Sequence, residues 1–226
     1  VTRGDVPVNS VDVSYEAAKG IGYIKVSKFA RNTYNEFITA IAKLKQAGCT
    51  SFVIDLRGNT GGYMDAAINM INEFMPEGRL IVYTEGKSFP RSDVYANGTG
   101  TCKDAPIVVL TDEISASASE IFSGAIQDND RGTIIGRRTY GKGLVQTQMS
   151  LSDGSEMRLT IARYYTPSGR CIQKKYEMGN TDAYDQDIYN RYMHGEFDSA
   201  DSIKMDDSLK YQTVGGRTVY GGGGIM

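Results

Sequence analysis

Residues 51–62 read SFVIDLRGNTGG. Ser51 to Leu56 form a short apolar run of the kind that fills a strand buried on both faces. Arg57 to Gly62 then break it with a glycine-rich turn. Upstream, GIGYIKVSKF (20–29) is β-rich, and TYNEFITAIAKLKQAG (33–48) has apolar residues at 34, 37, 38, 41 and 44. That spacing predicts a helix, ended by Gly48. Downstream, a second helix is expected over roughly 63–75. Strand, helix, strand, turn, helix is a crossover unit, because parallel neighbours cannot be joined by a tight hairpin. The fold class is therefore α/β.

LIVYTEG (80–86) and PIVVLTD (106–112) read as two further strands, separated by a loop containing Asn97, Gly98 and Gly100. SASASEIFSGAIQDN (115–129) reads as a third helix that starts right after the second of them. RGTIIG (131–136), GLVQTQM (143–149) and SEMRLTIARYY (155–165) add β structure, with Ser152-Asp153-Gly154 as a hairpin signal between the last two. From about Lys174 the chain is tyrosine-rich, acidic and weakly periodic, ending in GGRTVYGGGGIM. An irregular C-terminal extension over 174–226 is expected, packed on the core through its tyrosines.

The chain has 226 residues with 40% apolar and 23% charged content, enough for a real core. Its net charge of -2 comes from mixed acids and bases, so no basic stripe points to nucleic acid. No apolar run reaches 18 residues, which excludes a membrane-spanning helix. The opening VTRGDVPVNS lacks an initiator methionine and the apolar block of a secretory signal, so the chain reads as a mature or trimmed fragment. Cys49, Cys102 and Cys171 lie far apart without CxxC spacing, which argues against zinc and gives no disulfide framework, although one pair could bridge. The single histidine, His194, sits in the polar segment NRYMHGEFDSAD, where an exposed role is expected. An acyl-transfer enzyme built from this chain would need a base other than histidine.

Three stretches carry candidate chemistry. Ser115, Ser117 and Ser119 stand at a strand-to-helix junction, where free amides and the positive helix end can stabilise an oxyanion. Plain helix capping fits the same residues, since Ser117-Ala-Ser-Glu120 matches a capping box and Ser115 an N-cap. Lys142 lies between Gly141 and Gly143, with Gln146 four residues on. In an extended strand those two side chains share a face about 13 Å apart along the backbone, so contact needs a bend, which glycines permit. A hairpin lysine in water is the plain alternative. DLRGNTGG (55–62) is a turn whose amides could form a nest for negative charge, but it lacks the phosphate-loop pattern.

Taken in order and spacing, DLRGNTGG, SASASEIFSGAIQDN, GRRTYGKGLVQ and ARYYTPSGRCIQ resemble the carboxyl-terminal processing peptidases, or tail-specific proteases. The resemblance runs from about Gly20 to Gln173. It implies a crotonase/ClpP-like repeated β-β-α core with additional β structure over 20–173, acting as a serine endopeptidase through an acyl-enzyme. Carried onto this chain, Ser117 is the nucleophile, Lys142 the general base and Gln146 the residue that orients the lysine. The amide of Ala118 and that of Gly61 or Gly62 form the oxyanion hole. The family needs no cofactor or metal and acts on protein or peptide substrates bound in extended form; an oligomer is open. Family members carry a PDZ domain before the strand GYIKV, so residues 1–19 read as the segment leaving a PDZ domain missing from this chain. An extracytoplasmic site, bacterial periplasm or envelope, is implied.

A lysine of ordinary pKa near 10.4 is protonated at neutral pH, and lowering that value by about three units takes roughly 4 kcal/mol. Desolvation is the expected source, with Tyr140, Leu144 and Val145 as the wall and the neutral Gln146 adding no opposing charge. Two other readings compete. One is a catalytically silent peptide- or ligand-binding relative, as in the retinoid-carrying proteins whose domains look like this fold. The other is a crotonase-type acyl-thioester enzyme, whose oxyanion hole is also built from paired amides.

Overall fold

The computed structural model of the chain describes residues 8–176 and 181–226. Residues 1–7 of the expected N-terminal segment and 177–180 of the expected extension lie outside the described residues. β1 (Val11–Ala18) runs antiparallel to β2 (Ile21–Val26), and α1 (Thr33–Gln46) returns the chain so that β3 (Ser51–Asp55) lies parallel to β2. After the glycine turn come α2 (Met64–Asn72) and the hairpin of β4 (Leu80–Gly86) and β5 (Phe89–Tyr95). β6 (Ile107–Thr111) then enters parallel to β3, α3 (Ala118–Asp128) crosses over, and β7 (Thr133–Gly136) pairs with β6. The main sheet is ordered β1-β2-β3-β6-β7. A second hairpin, β8 (Leu144–Ser150) and β9 (Glu156–Tyr165), pairs with β4 to give an antiparallel sheet β5-β4-β9-β8.

The core lies between the main sheet and the three helices. α1 buries Phe37, Ala40, Ile41 and Leu44, the face its spacing announced. α3 buries every residue but Gln127, so it runs through the interior rather than over it. Phe74, just past α2, meets the rings of Phe37, Phe52 and Phe122 edge-on at 6.2, 6.3 and 6.4 Å, tying the helices to β3. Each buried phenylalanine contributes about 2–3 kcal/mol of transfer free energy.

Three expectations need revision. The loop expected between 86 and 106 contains β5, whose side chains are almost all exposed; it has no buried alternation to announce it and is held by backbone pairing with β4. The C-terminal extension is not irregular. It forms α4 (Thr181–Asp185), α5 (Asp187–Met193) and a small hairpin of β10 (Lys210–Gln212) and β11 (Thr218–Tyr220). Tyrosines dock it only in part: Tyr184 packs edge-on to Tyr140 at 6.3 Å, but Tyr189 and Tyr192 are exposed, whereas Arg191 is buried and Ile225 is fully enclosed in the core. The segment before Gly20 contributes β1, which is hydrogen-bonded into the main sheet. Cys49, Cys102 and Cys171 are all free.

Candidate active site

β6 ends at Thr111, and the next six residues turn the chain into α3. Ser117, the last before the helix, has φ +56° and ψ -113°, a left-handed backbone that costs a non-glycine residue about 1–3 kcal/mol. Its neighbours hold it there. Ser115 Oγ donates to Leu56 O at 2.8 Å, Ser119 Oγ to Asn59 O at 2.9 Å, and the Ala116 amide to Asn59 O at 3.0 Å. Both flanking serines are fully buried, whereas Ser117 reaches a cleft of about 460 Å³. Gly61, Gly62, Lys142 and Gln146 line the same cleft. The fold thus brings the sequence-nominated side chains to one opening.

The glycine turn packs directly beneath the serine. A Cβ on Gly61, whose φ is +97°, would stand 2.6 Å from Ala116 O and 2.7 Å from Ser117 Cβ, so only glycine fits. Asn59 organises this turn from a fully buried position: its Nδ2 donates to Val26 O at 2.9 Å, and its Oδ1 accepts from the Gly61 amide at 2.8 Å. The Gly61 amide is therefore spoken for. The amides of Gly62 and of Ala118, the first residue of α3, have no partner among the described residues. At the head of the turn, burial works to raise the Asp55 carboxyl, but hydrogen bonds from Arg57 and Tyr23 prevail and hold it at about 2. Burial and that same carboxylate push the Tyr23 phenol up to about 12.

Glu120 joins the serine turn to the loop that carries Lys142. It is completely buried, and its carboxylate accepts from the Ser117 amide (2.8 Å), the Thr139 hydroxyl (2.6 Å), the Gly141 amide (2.6 Å) and the Lys142 amide (2.8 Å). Burial pushes this carboxyl up, against the pull of the four donors. The bond to Ser117 is the one a capping box predicts. The bonds to residues 139–142 are long-range, and only a glutamate set among apolar neighbours in SEIF hinted at them. Asn59 and Thr139 went unnoticed because nothing in their local sequence marks them as buried.

The lysine does not have the surroundings expected for it. Its backbone is tied down, since Gly143 N donates to Gln173 Oε1 at 2.9 Å and Lys174 N to Gly141 O at 2.9 Å. Its side chain, however, is exposed. Of the expected wall, Leu144 lines the cleft with the lysine, whereas Val145 packs against the core and the Tyr140 ring stands over the Lys174 ammonium at 4.2 Å instead. The lysine kept dry is Lys174, where burial pushes the ammonium below its ordinary value against the pull of Asp187. Gln146 is also exposed, and its Nε2 donates to Thr160 Oγ1 at 3.5 Å rather than to the lysine. The β8–β9 pairing slips between Val145 and Gln146, supplying an irregularity but not the contact. His194 is exposed at the end of α5, away from the cleft. No group of three or more metal-ligating side chains occurs among the described residues.

Similarity to known proteins agrees with this geometry. The Peptidase_S41 profile, described as peptidase family S41, matches residues 20–182. The carboxyl-terminal-processing protease of Synechocystis sp. is 41% identical over 156 residues, which covers 69% of this chain and 36% of that protein. A probable CtpA-like serine protease of Staphylococcus epidermidis is 36% identical over 176 residues, covering 77% of this chain and 35% of its own. Among solved structures, the photosystem II D1 C-terminal processing protease superposes with a TM-score of 0.66 at 35% identity, over 76% of this chain and 47% of that one. The chain spans between about a third and a half of the length of these relatives. With one family matched across most of its length and the motifs of that match meeting at one cleft, the chain belongs to peptidase family S41.

Proposed function

We propose that this chain is the catalytic core of a serine endopeptidase that cuts protein substrates near their C-terminal tails, with Ser117 as nucleophile, Lys142 as base and Gln146 as its orienting partner. The observation that carries the reading is the serine turn. Of three closely spaced serines, two are committed to buried carbonyls and the third is raised into the cleft on a strained backbone beside two unengaged amides. Neutral Lys142 takes the Ser117 proton as Oγ attacks the peptide carbonyl, and the amides of Gly62 and Ala118 receive the oxyanion, each worth on the order of 3 kcal/mol. The lysine then returns the proton to the leaving nitrogen, and water hydrolyses the acyl-enzyme. Because the Lys142 side chain is exposed, the peptide itself must supply the desolvation that keeps the amine neutral.

The substrate lies extended along β8, the edge strand of its sheet, whose Leu144, Gln146 and Gln148 line the cleft. The β2–α1–β3 and β6–α3–β7 crossovers support reading the core as a crotonase/ClpP-like repeated β-β-α plan. The same reading places a PDZ domain before β1, the protein in an extracytoplasmic compartment such as the periplasm, and leaves room for an oligomer. Two measurements test it. A fluorophosphonate should modify Ser117 and spare Ser115 and Ser119, and Lys142→Arg should abolish turnover of an unfolded protein substrate. An active Lys142→Arg enzyme removes the lysine from the chemistry. The exposed lysine favours one second reading, a silent peptide-binding relative, which would capture protein tails and yield no product on long incubation.

A further inference from the structure

Past Lys142 lies a second cavity of about 890 Å³, larger than the cleft that holds Ser117. Where the cleft is mostly polar, this cavity is walled mainly by Leu144, Ile161, Ala162, Tyr165, Tyr176 and Tyr184. Lys142 and Leu144 line both spaces, whereas Ser117 lines the cleft alone. The lysine therefore stands at the opening between them. The aromatic walls are braced by ring contacts: Tyr165 stacks on Tyr83 at 4.8 Å and 5°, and Tyr184 packs edge-on to Tyr140 at 6.3 Å and to Tyr176 at 5.8 Å. Charged groups, Glu85, Lys87 and Arg163 among them, also border the cavity.

Position relative to the base gives this cavity a role. The group that takes the serine proton must hand it to the departing nitrogen, so that nitrogen has to sit beside Lys142. The nitrogen belongs to the first residue after the cut bond, whose Cα is about 1.5 Å away. Its Cα therefore lies beside Lys142, at the opening into the cavity. We propose that the cavity is the specificity pocket for the first residue on the leaving-group side, and that it takes a bulky apolar or aromatic side chain. This inference rests on the protease reading above. Apolar walls reward burial of such a side chain, and a carboxylate there, even paired with Lys87 or Arg163 at the border, gives up hydration and leaves the apolar walls unfilled.

The test uses quenched fluorescent peptides identical except for the residue after the cut bond, which is Phe, Leu, Ala or Asp. The 226-residue chain should cleave the Phe and Leu peptides with kcat/KM at least tenfold above the Asp peptide. Ile161→Trp, which narrows the cavity, should lower the rate for Phe at least tenfold relative to Ala. Tyr176→Ala removes a half-exposed wall and should narrow the Phe-to-Asp ratio severalfold. The same peptides titrated onto Ser117→Ala by fluorescence anisotropy should rank in the same order, which reads the pocket without the chemistry. A Phe-to-Asp ratio near one, or an Ile161→Trp effect confined to the residue before the cut bond, overturns the pocket. If Ser117 still reacts with fluorophosphonate in that case, the protease reading survives alone. Failure of both labelling and cleavage sinks the two together.

Discussion

Ser117 and Lys142 open on one cleft but rest on opposite kinds of ground. The serine sits on a turn whose flanking residues are fully buried and hydrogen-bonded, so its strained backbone is over-determined. The lysine enters a hairpin whose side chains beyond Ala162 and toward the tip are largely exposed, and only its backbone is fixed. Backbone placement and side-chain environment are thus handled separately. Buried acceptors place both backbones, while the environment of the amine is left to whatever fills the cleft.

That contrast can be broken from either side. The largest effect should come from Glu120→Ala, which leaves four donors without their shared acceptor; we expect a loss of about 3–5 kcal/mol in urea unfolding. A loss under about 1 kcal/mol would mean that the two backbones are locked by something else. Gly61→Ala should follow at about 2–3 kcal/mol, because its methyl meets Ala116 O and Ser117 Cβ at sub-van der Waals distance on a left-handed backbone. The Asp55 carboxyl comes next. Its folded value of about 2 lies below the ordinary 3.8, so its contribution is complete above that ordinary value and disappears as pH falls through the folded one. The loss should be about 2 kcal/mol, absent in Asp55→Asn, and visible in unfolding curves taken across that window. Smallest of all, Lys142→Ala should change stability by less than about 0.5 kcal/mol while turnover disappears. A large stability change there would show that the side chain packs, contrary to its exposure.

Much of this was readable in one dimension. The buried strand at 51–55, the helical spacing of α1 and the strand-to-helix serine turn follow from local periodicity, which survives folding because each element buries the face its pattern marks. β5 escaped because an exposed strand held by backbone bonds leaves no side-chain pattern. The C-terminal region escaped for a related reason. Arg191 donates to Thr139 O at 3.0 Å, and the Ile225 amide donates to Thr139 Oγ1 at 2.7 Å, contacts across more than fifty residues that no local window contains.

The sequence by itself determined the residue types of the site and their order along the chain, since a hydroxyl at a helix start and a lysine stripped of neighbouring side chains are local facts. Only the tertiary structure decided which amide is free, Gly62 rather than Gly61, because that depends on where the Asn59 side chain points. It also decided that Glu120 holds both segments of the site and that the Lys142 side chain is exposed. Burial and hydrogen-bond satisfaction belong to the packed chain as a whole, and no single stretch of sequence carries them.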